Sequence, residues 1–193
     1  MYVFRPLGLQ LTMKRMQWRN KAEKYGIIGQ ALHWLVVLGI IAAYFVAEAA
    51  EDNEGLRALH GSIGISILAL AVLRVLWRVL DRSPPWPATM AGYERMIARI
   101  THLALYVLLF TLSLTGWLLS SAEGDAVRFF GVFELPPLHS GAGEEILEEV
   151  HEVLFNILLA FSVLHVVGAL KHHFWNRDHV LRSMLPGRVS RIR

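Results

Sequence analysis

VHEVLFNILLAFSVLHVVGALKHHF, residues 150–174, is the stretch from which the rest of the chain can be read. It belongs to an apolar run of about 25 residues, Ile146–Leu170, enough to cross a hydrocarbon core of roughly 30 Å at 1.5 Å per residue. Two histidines interrupt it, His151 and His165, 14 residues apart. As a helix, that spacing is a rise of roughly 21 Å and a rotation of about 1400°, within about 40° of whole turns. Both imidazoles therefore lie on one side of one helix at two depths. Ionisable groups inside a membrane are costly and rare, and each marks a functional site by default.

Three further apolar runs precede it: Ile27–Ala47, about Leu59–Leu80, and about Met96–Ser120. None contains a proline, and none has the form of a cleaved signal peptide. Of 193 residues 54% are apolar, and the mean hydropathy of +0.42 is too high for an ordinary soluble domain. There is no cysteine, which excludes disulfides, iron–sulfur clusters, thiolate zinc sites and covalently attached haem, and leaves nine histidines to carry any metal chemistry.

Charge orients the spans. Segments 47–58 and 122–152 hold 12 of the 16 acids but only Arg57 and Arg128 of the 19 Lys and Arg. The other side holds 17 basic residues, so both termini and the 81–95 loop, stiffened by Pro84, Pro85 and Pro87, are expected in the cytoplasm. This distribution explains the net charge of +3 as membrane topology, with no nucleic-acid partner. The expected fold is all-α: an integral membrane four-helix bundle running up-down-up-down. Residues 1–24 read as a basic N-terminal extension, with Met13 and Met16 as alternative starts. Residues 25–175 read as the membrane domain and 176–193 as a basic cytoplasmic tail.

Topology then sets the depth of each histidine. His33 enters from the cytoplasm and lies one to two turns below that face; His60 lies at the outer face. His151 is outer and His165 inner, so span four offers two ligands, each matched by a histidine on another span: His60 with His151, and His33 with His165. Such pairs would hold two stacked haems, since imidazole suits iron and two axial imidazoles leave no open position. His102 is about as deep as His33, so spacing alone equally allows His33–His102 or His102–His165. Its other role is a hydrogen bond to a haem propionate or a quinone. His172 and His173 sit beside Lys171 where span four ends, as an interfacial cluster or as a propionate or quinone contact; His139 and His179 read as loop residues. Arg74 follows His60 by 14 residues and so faces the same side at the inner depth, to pair with a propionate or to snorkel to the surface. Gly61, Gly64, Gly116 and Gly168 lie near the proposed ligands, to make room for a porphyrin or to pack helices closely.

Five stretches carry a resemblance: YGIIGQALHWLVVLGIIAAYF, LHGSIGISILALAVLRVLWR, THLALYVLLFTLSLTGW, FFGVFELPPL and VHEVLFNILLAFSVLHVVGALKHHF, together covering nearly everything from Tyr25 to Trp175. In order and spacing they resemble the prokaryotic cytochrome b561 family, relatives of the cytochrome b subunits of nickel–iron hydrogenases. The resemblance implies two haems b, with His33 and His165 on the inner one and His60 and His151 on the outer. It implies a multi-pass protein of the bacterial inner membrane, in contact with lipid, that exchanges electrons with ubiquinone or menaquinone. A periplasmic donor, superoxide or a small protein, is implied on the other side, as in a superoxide:quinone oxidoreductase. Two other readings are an anchor subunit for a periplasmic dehydrogenase or hydrogenase, and a transporter with histidines as transient ligands. The transporter reading expects paired Gly/Pro interruptions near the midplane, and these spans show no such pair and no internal proline.

Overall fold

The computed structural model describes residues 18–21, 24–50, 52–122, 126–138 and 143–186. Four long helices make the body: α1 (Ile27–Glu48), α2 (Glu54–Leu80), α3 (Gly92–Ala122) and α4 (Glu144–Phe174). At 22 to 31 residues they are roughly 33 to 47 Å long, and all four are apolar enough to cross a membrane. Their outward faces are hydrocarbon: Leu38, Phe45, Leu76, Val153 and Val163 are each at least half exposed. A water-soluble bundle would bury these side chains, whereas lipid solvates them.

Helix ends follow local chemistry. The Asn53 side chain accepts a hydrogen bond from the Leu56 amide and caps α2. Gly143, with φ of +129°, starts α4 from a conformation that other residues rarely adopt. Pro84, Pro85 and Pro87 follow the end of α2 and prevent its continuation.

Packing runs in chain order: α1 lies along α2, α2 along α3 and α3 along α4. Among the described residues α4 makes no comparable packing against α1 or α2. The backbone of α4 stands back from those of α1 and α2, and side chains bridge the gap, among them Tyr44 stacked on Phe155 at 5.7 Å. At the bundle's mid-height Val36, Ile67, Ala71, Leu108, Leu109 and Leu158 form a buried apolar layer. Leu158 is 1% exposed and lies seven residues from His151 and seven from His165.

Each end of the bundle is closed differently. Between α3 and α4 the chain makes an antiparallel hairpin, β1 (Val127–Phe129) and β2 (Phe133–Leu135), where the sequence reading had only a loop. Phe130 and Gly131, in its three-residue loop, turn it with left-handed φ of 47° and 72°. Ser62 of α2 anchors it: its hydroxyl lies 2.9 Å from the carbonyl of Arg128 and accepts from the Phe130 amide at 3.0 Å. At the opposite end both chain segments fold back. Residues 176–186, a basic tail by charge alone, contain a fifth helix, α5 (Val180–Met184). The Gln30 amide donates to the carbonyls of Tyr25 and Ser183, and the Trp34 indole donates to the carbonyl of Met184. The Asn20 side chain bridges Gly26 to the carbonyls of Asp81 and Arg82. Residues 1–17 and 187–193 lie outside the described residues, as does His139.

Candidate functional site: two histidine pairs across the open gap

Two imidazole pairs span the gap. At the hairpin end His60 of α2 faces His151 of α4, with ring centroids 6.3 Å apart and planes at 77°. At the terminal end His33 of α1 faces His165 of α4, at 6.2 Å and 69°. These spacings can be checked against ligation. A nitrogen sits about 2.0–2.1 Å from the metal it binds; two such bonds in line, with about 1.1 Å more to each ring centre, put the centroids roughly 6.3 Å apart. Both pairs therefore fit one metal held between two imidazoles. His102 also reaches His165, but at 5.1 Å, too close for two in-line bonds. His33–His165 thus has the spacing of in-line ligation, and His102–His165 does not.

The hairpin-end pair is oriented by neighbours. The Nδ1 of His60 lies 3.0 Å from the carbonyl of Ala43 on α1, so it carries the proton and leaves the Nε2 lone pair free. On α3 the Thr115 hydroxyl donates to the carbonyl of Leu112 and lies 3.2 Å from Nδ1 of His151. Having spent its proton on Leu112, that hydroxyl accepts from His151 and likewise leaves Nε2 free. Such second partners fix the tautomer and aim of ligating histidines. Sequence reasoning missed Thr115; its place five residues before the end of an apolar run carries no distinctive signal. Gly116 lies beneath His151, where an added Cβ would stand 3.0 Å from Cε1 of the ring. His60, Gly61, Gly64, Gly116, Trp117 and Val127 line a cavity beside the pair. A Cβ on Gly64 would meet nothing within 4 Å, so the helix surface there opens on free space.

At the terminal end the buried Nδ1 of His33 has no hydrogen-bond partner. Gly168, one turn beyond His165, also faces open space. Arg74 is half-buried; its guanidinium lies 5.6 Å from the Tyr106 ring centre, within cation–π reach. His172 is buried, with Nδ1 2.6 Å from Asp178, tying the end of α4 to the turn before α5. Lys171 pairs with Glu94 of α3 beside it. His179 is the residue before α5.

A lipid-facing helical bundle with imidazoles paired at metal-spanning distance, and no cysteine, defines a membrane-embedded b-type cytochrome, a protein of electron transfer. Residues 24–187 match the family described as prokaryotic cytochrome b561, and the chain belongs to that family. It is 39% identical over 182 residues to cytochrome b561 homolog 2 of Escherichia coli K12, covering 88% of this chain and 95% of that one. It is 26% identical over 171 residues to a probable superoxide oxidase, CybB, of Yersinia pestis, covering 85% and 97%. A third relative, cytochrome b561 homolog 1 of Escherichia coli K12, is 28% identical over 170 residues, covering 81% and 94%. The protein is therefore a multi-pass protein of the bacterial inner membrane that binds haem b.

Proposed function

We propose that the chain is a di-haem electron carrier joining a one-electron donor outside the membrane to the quinone pool within it. The observation that carries this reading is the pair of imidazole pairs at 6.2 and 6.3 Å, set at two heights on α4 and separated by the layer around Leu158. Haem b, when bound, supplies a one-electron iron couple with no open coordination position. His60 and His151 would hold one group, His33 and His165 the other. Arg74 would neutralise a propionate of the inner group, and His102 would offer it or a quinone a hydrogen bond. His172, already committed to Asp178, contributes chiefly by holding α5 in place. Gly64 and Gly168 would leave their helix surfaces flat beside a macrocycle.

The orientation follows the positive-inside rule, with the 17 basic residues and both termini in the cytoplasm and the hairpin outside. In this orientation residues 25–175 are the electron-carrying domain, flanked by cytoplasmic segments 1–24 and 176–193. The outer pair would take single electrons, and two deliveries with two protons reduce one ubiquinone or menaquinone to its quinol. Two donors are consistent with the chain. The Yersinia relative's name supports superoxide. The outer segments carry 12 acids against two arginines, a balance of −10, which attracts a cationic protein and repels an anion. A pyridine haemochrome assay tests the core of the proposal: two haems b per chain support it, and one haem in fully loaded protein overturns it.

A further inference from the structure

The tip of the hairpin is apolar and uncovered: Phe130, Val132 and Phe133 are 54%, 79% and 51% exposed. Residues 129–133 read FFGVF, without a charge. Hydrogen bonds fix how the hairpin lies along the helices. Its base is tied to the end of α3, where the Leu138 amide donates to the Ser121 hydroxyl at 3.1 Å and the Trp117 indole to the Pro136 carbonyl at 3.2 Å. Its tip is tied to α2. The Phe130 amide donates to Ser62, which lies eight residues into that helix from Glu54 and so roughly 12 Å from its end. The hairpin therefore points from the helix ends toward the middle of the bundle. At that depth the helices have shed their charge: the last Asp, Glu, Lys or Arg at this end is Arg57 on α2 and Glu152 on α4. The strands also sort their side chains by face. Val127, Phe129, Phe133 and Leu135 share one face, with Val127 buried against Gly61. Arg128 and Glu134 share the other, paired at 3.0 Å with side chains 70% and 58% exposed.

We propose that the hairpin tip is seated in the lipid leaflet on its side of the membrane. Phe130, Val132 and Phe133 lie among the headgroups and upper acyl chains, and the Arg128–Glu134 pair stays in water. The occupant is lipid because the tip continues a surface that lipid already covers: further along α2 the exposed residues are Ala69, Val72, Leu73 and Leu76. Apolar and aromatic side chains suit the boundary between headgroups and hydrocarbon. Backbone groups leaving water must be paired. The tip meets this demand, since the Phe130 amide ends on Ser62 and the Val132 amide on the Phe129 carbonyl at 2.9 Å. The rings of Phe129 and Phe133 stack at 5.0 Å and stiffen the wedge. A soluble partner recognised by charge finds none in FFGVF. Through Val127 the same hairpin walls the cavity beside His60, so a tip seated in lipid holds that wall in place.

The chain has no cysteine, so single introduced thiols report position directly. Phe130→Cys, Val132→Cys and Glu134→Cys, each in the full haem-loaded chain, are labelled with a nitroxide and placed in phospholipid nanodiscs, where both faces meet solvent. Power saturation then reads collisions with oxygen, which concentrates in lipid, and with a nickel chelate, which stays in water. At Phe130 and Val132 oxygen should dominate, at a depth of about 5–10 Å into the headgroup and acyl boundary. At Glu134 the nickel chelate should dominate. Adding Val132→Asp to Phe130→Cys should move the label toward water, because a carboxylate in lipid is costly. An unchanged haem spectrum shows that a variant keeps its fold; should Phe130→Cys lose haem, Val132→Cys carries the test, since that side chain is 79% exposed. Nickel-chelate access at Phe130 or Val132 that matches Glu134 overturns the proposal. Low collision with both reagents shows protein over the tip and also overturns it, with spin–spin broadening marking a second copy of the chain.

Discussion

Gly116 offers the sharpest perturbation, because its effect can be worked from one distance. A Cβ at this position would stand 3.0 Å from Cε1 of His151, where ordinary contact begins near 3.4 Å. Gly116→Ala thus needs a displacement of a few tenths of an ångström, and Gly116→Val adds two methyl groups that enlarge it. His151 cannot yield freely: Thr115 holds its Nδ1, and its Nε2 must stay in line with His60 across 6.3 Å. Overpacking of this kind costs about 1–3 kcal/mol, a five- to 150-fold loss in affinity for whatever the pair binds. We expect Gly116→Val to lower the haemochrome ratio from two haems per chain toward one. The redox titration should lose its outer component and keep the inner. Gly64 supplies the contrast. A side chain there meets no protein atom within 4 Å, so the apo bundle should accept Gly64→Leu without loss of stability. Any loss of outer haem in that variant then reports contact with the macrocycle itself. Full occupancy and two unchanged midpoints in Gly116→Val would refute the reasoning, because the outer pair would then not need the geometry it has.

Four further outcomes are expected. His60→Ala or His151→Ala should abolish the outer haem alone and His33→Ala or His165→Ala the inner, while His102→Ala keeps both; optical spectra and haemochrome ratios decide, and retention in His33→Ala with loss in His102→Ala would reverse the pairing. Thr115→Val, which removes the acceptor for His151 Nδ1, should weaken outer-haem binding about tenfold, read by haem retention during dilution. Arg74→Leu should lower the inner midpoint, since reduction removes a positive charge beside the guanidinium; the shift should be some tens of millivolts, with about 59 mV corresponding to tenfold. Stopped-flow reduction of the outer haem by a basic protein donor should slow as salt rises, because the outer acids steer it, and a salt-independent rate would count against that donor.

The terminal end shows where charge and packing part. Its excess of lysine and arginine marks the side of the membrane, but says nothing about the way Asn20, Gln30, Trp34 and Ser183 tie the two chain ends over α1. Those bonds join residues about 60 and 150 positions apart in the chain, for which no local pattern exists. The hairpin is a similar case: the turn at Phe130 and Gly131 is local chemistry, but its seat on Ser62 is not.

The sequence alone determined the four spans and the order of the histidines along them. Span length, hydropathy and rise per residue are properties of one helix and need no partner. Only the tertiary structure gives the distance of each candidate imidazole at the terminal end from His165. His33 and His102 are equally deep, and depth is all that spacing reports; the choice between 6.2 Å and 5.1 Å depends on how α1 and α3 rotate and approach α4. The same holds for Thr115 under the ring of His151, Asp178 against His172 and the unpartnered indole of Trp77 over Gly29. Each is a meeting of two elements, and helix-to-helix distance and rotation are set by the packing of all the side chains between them.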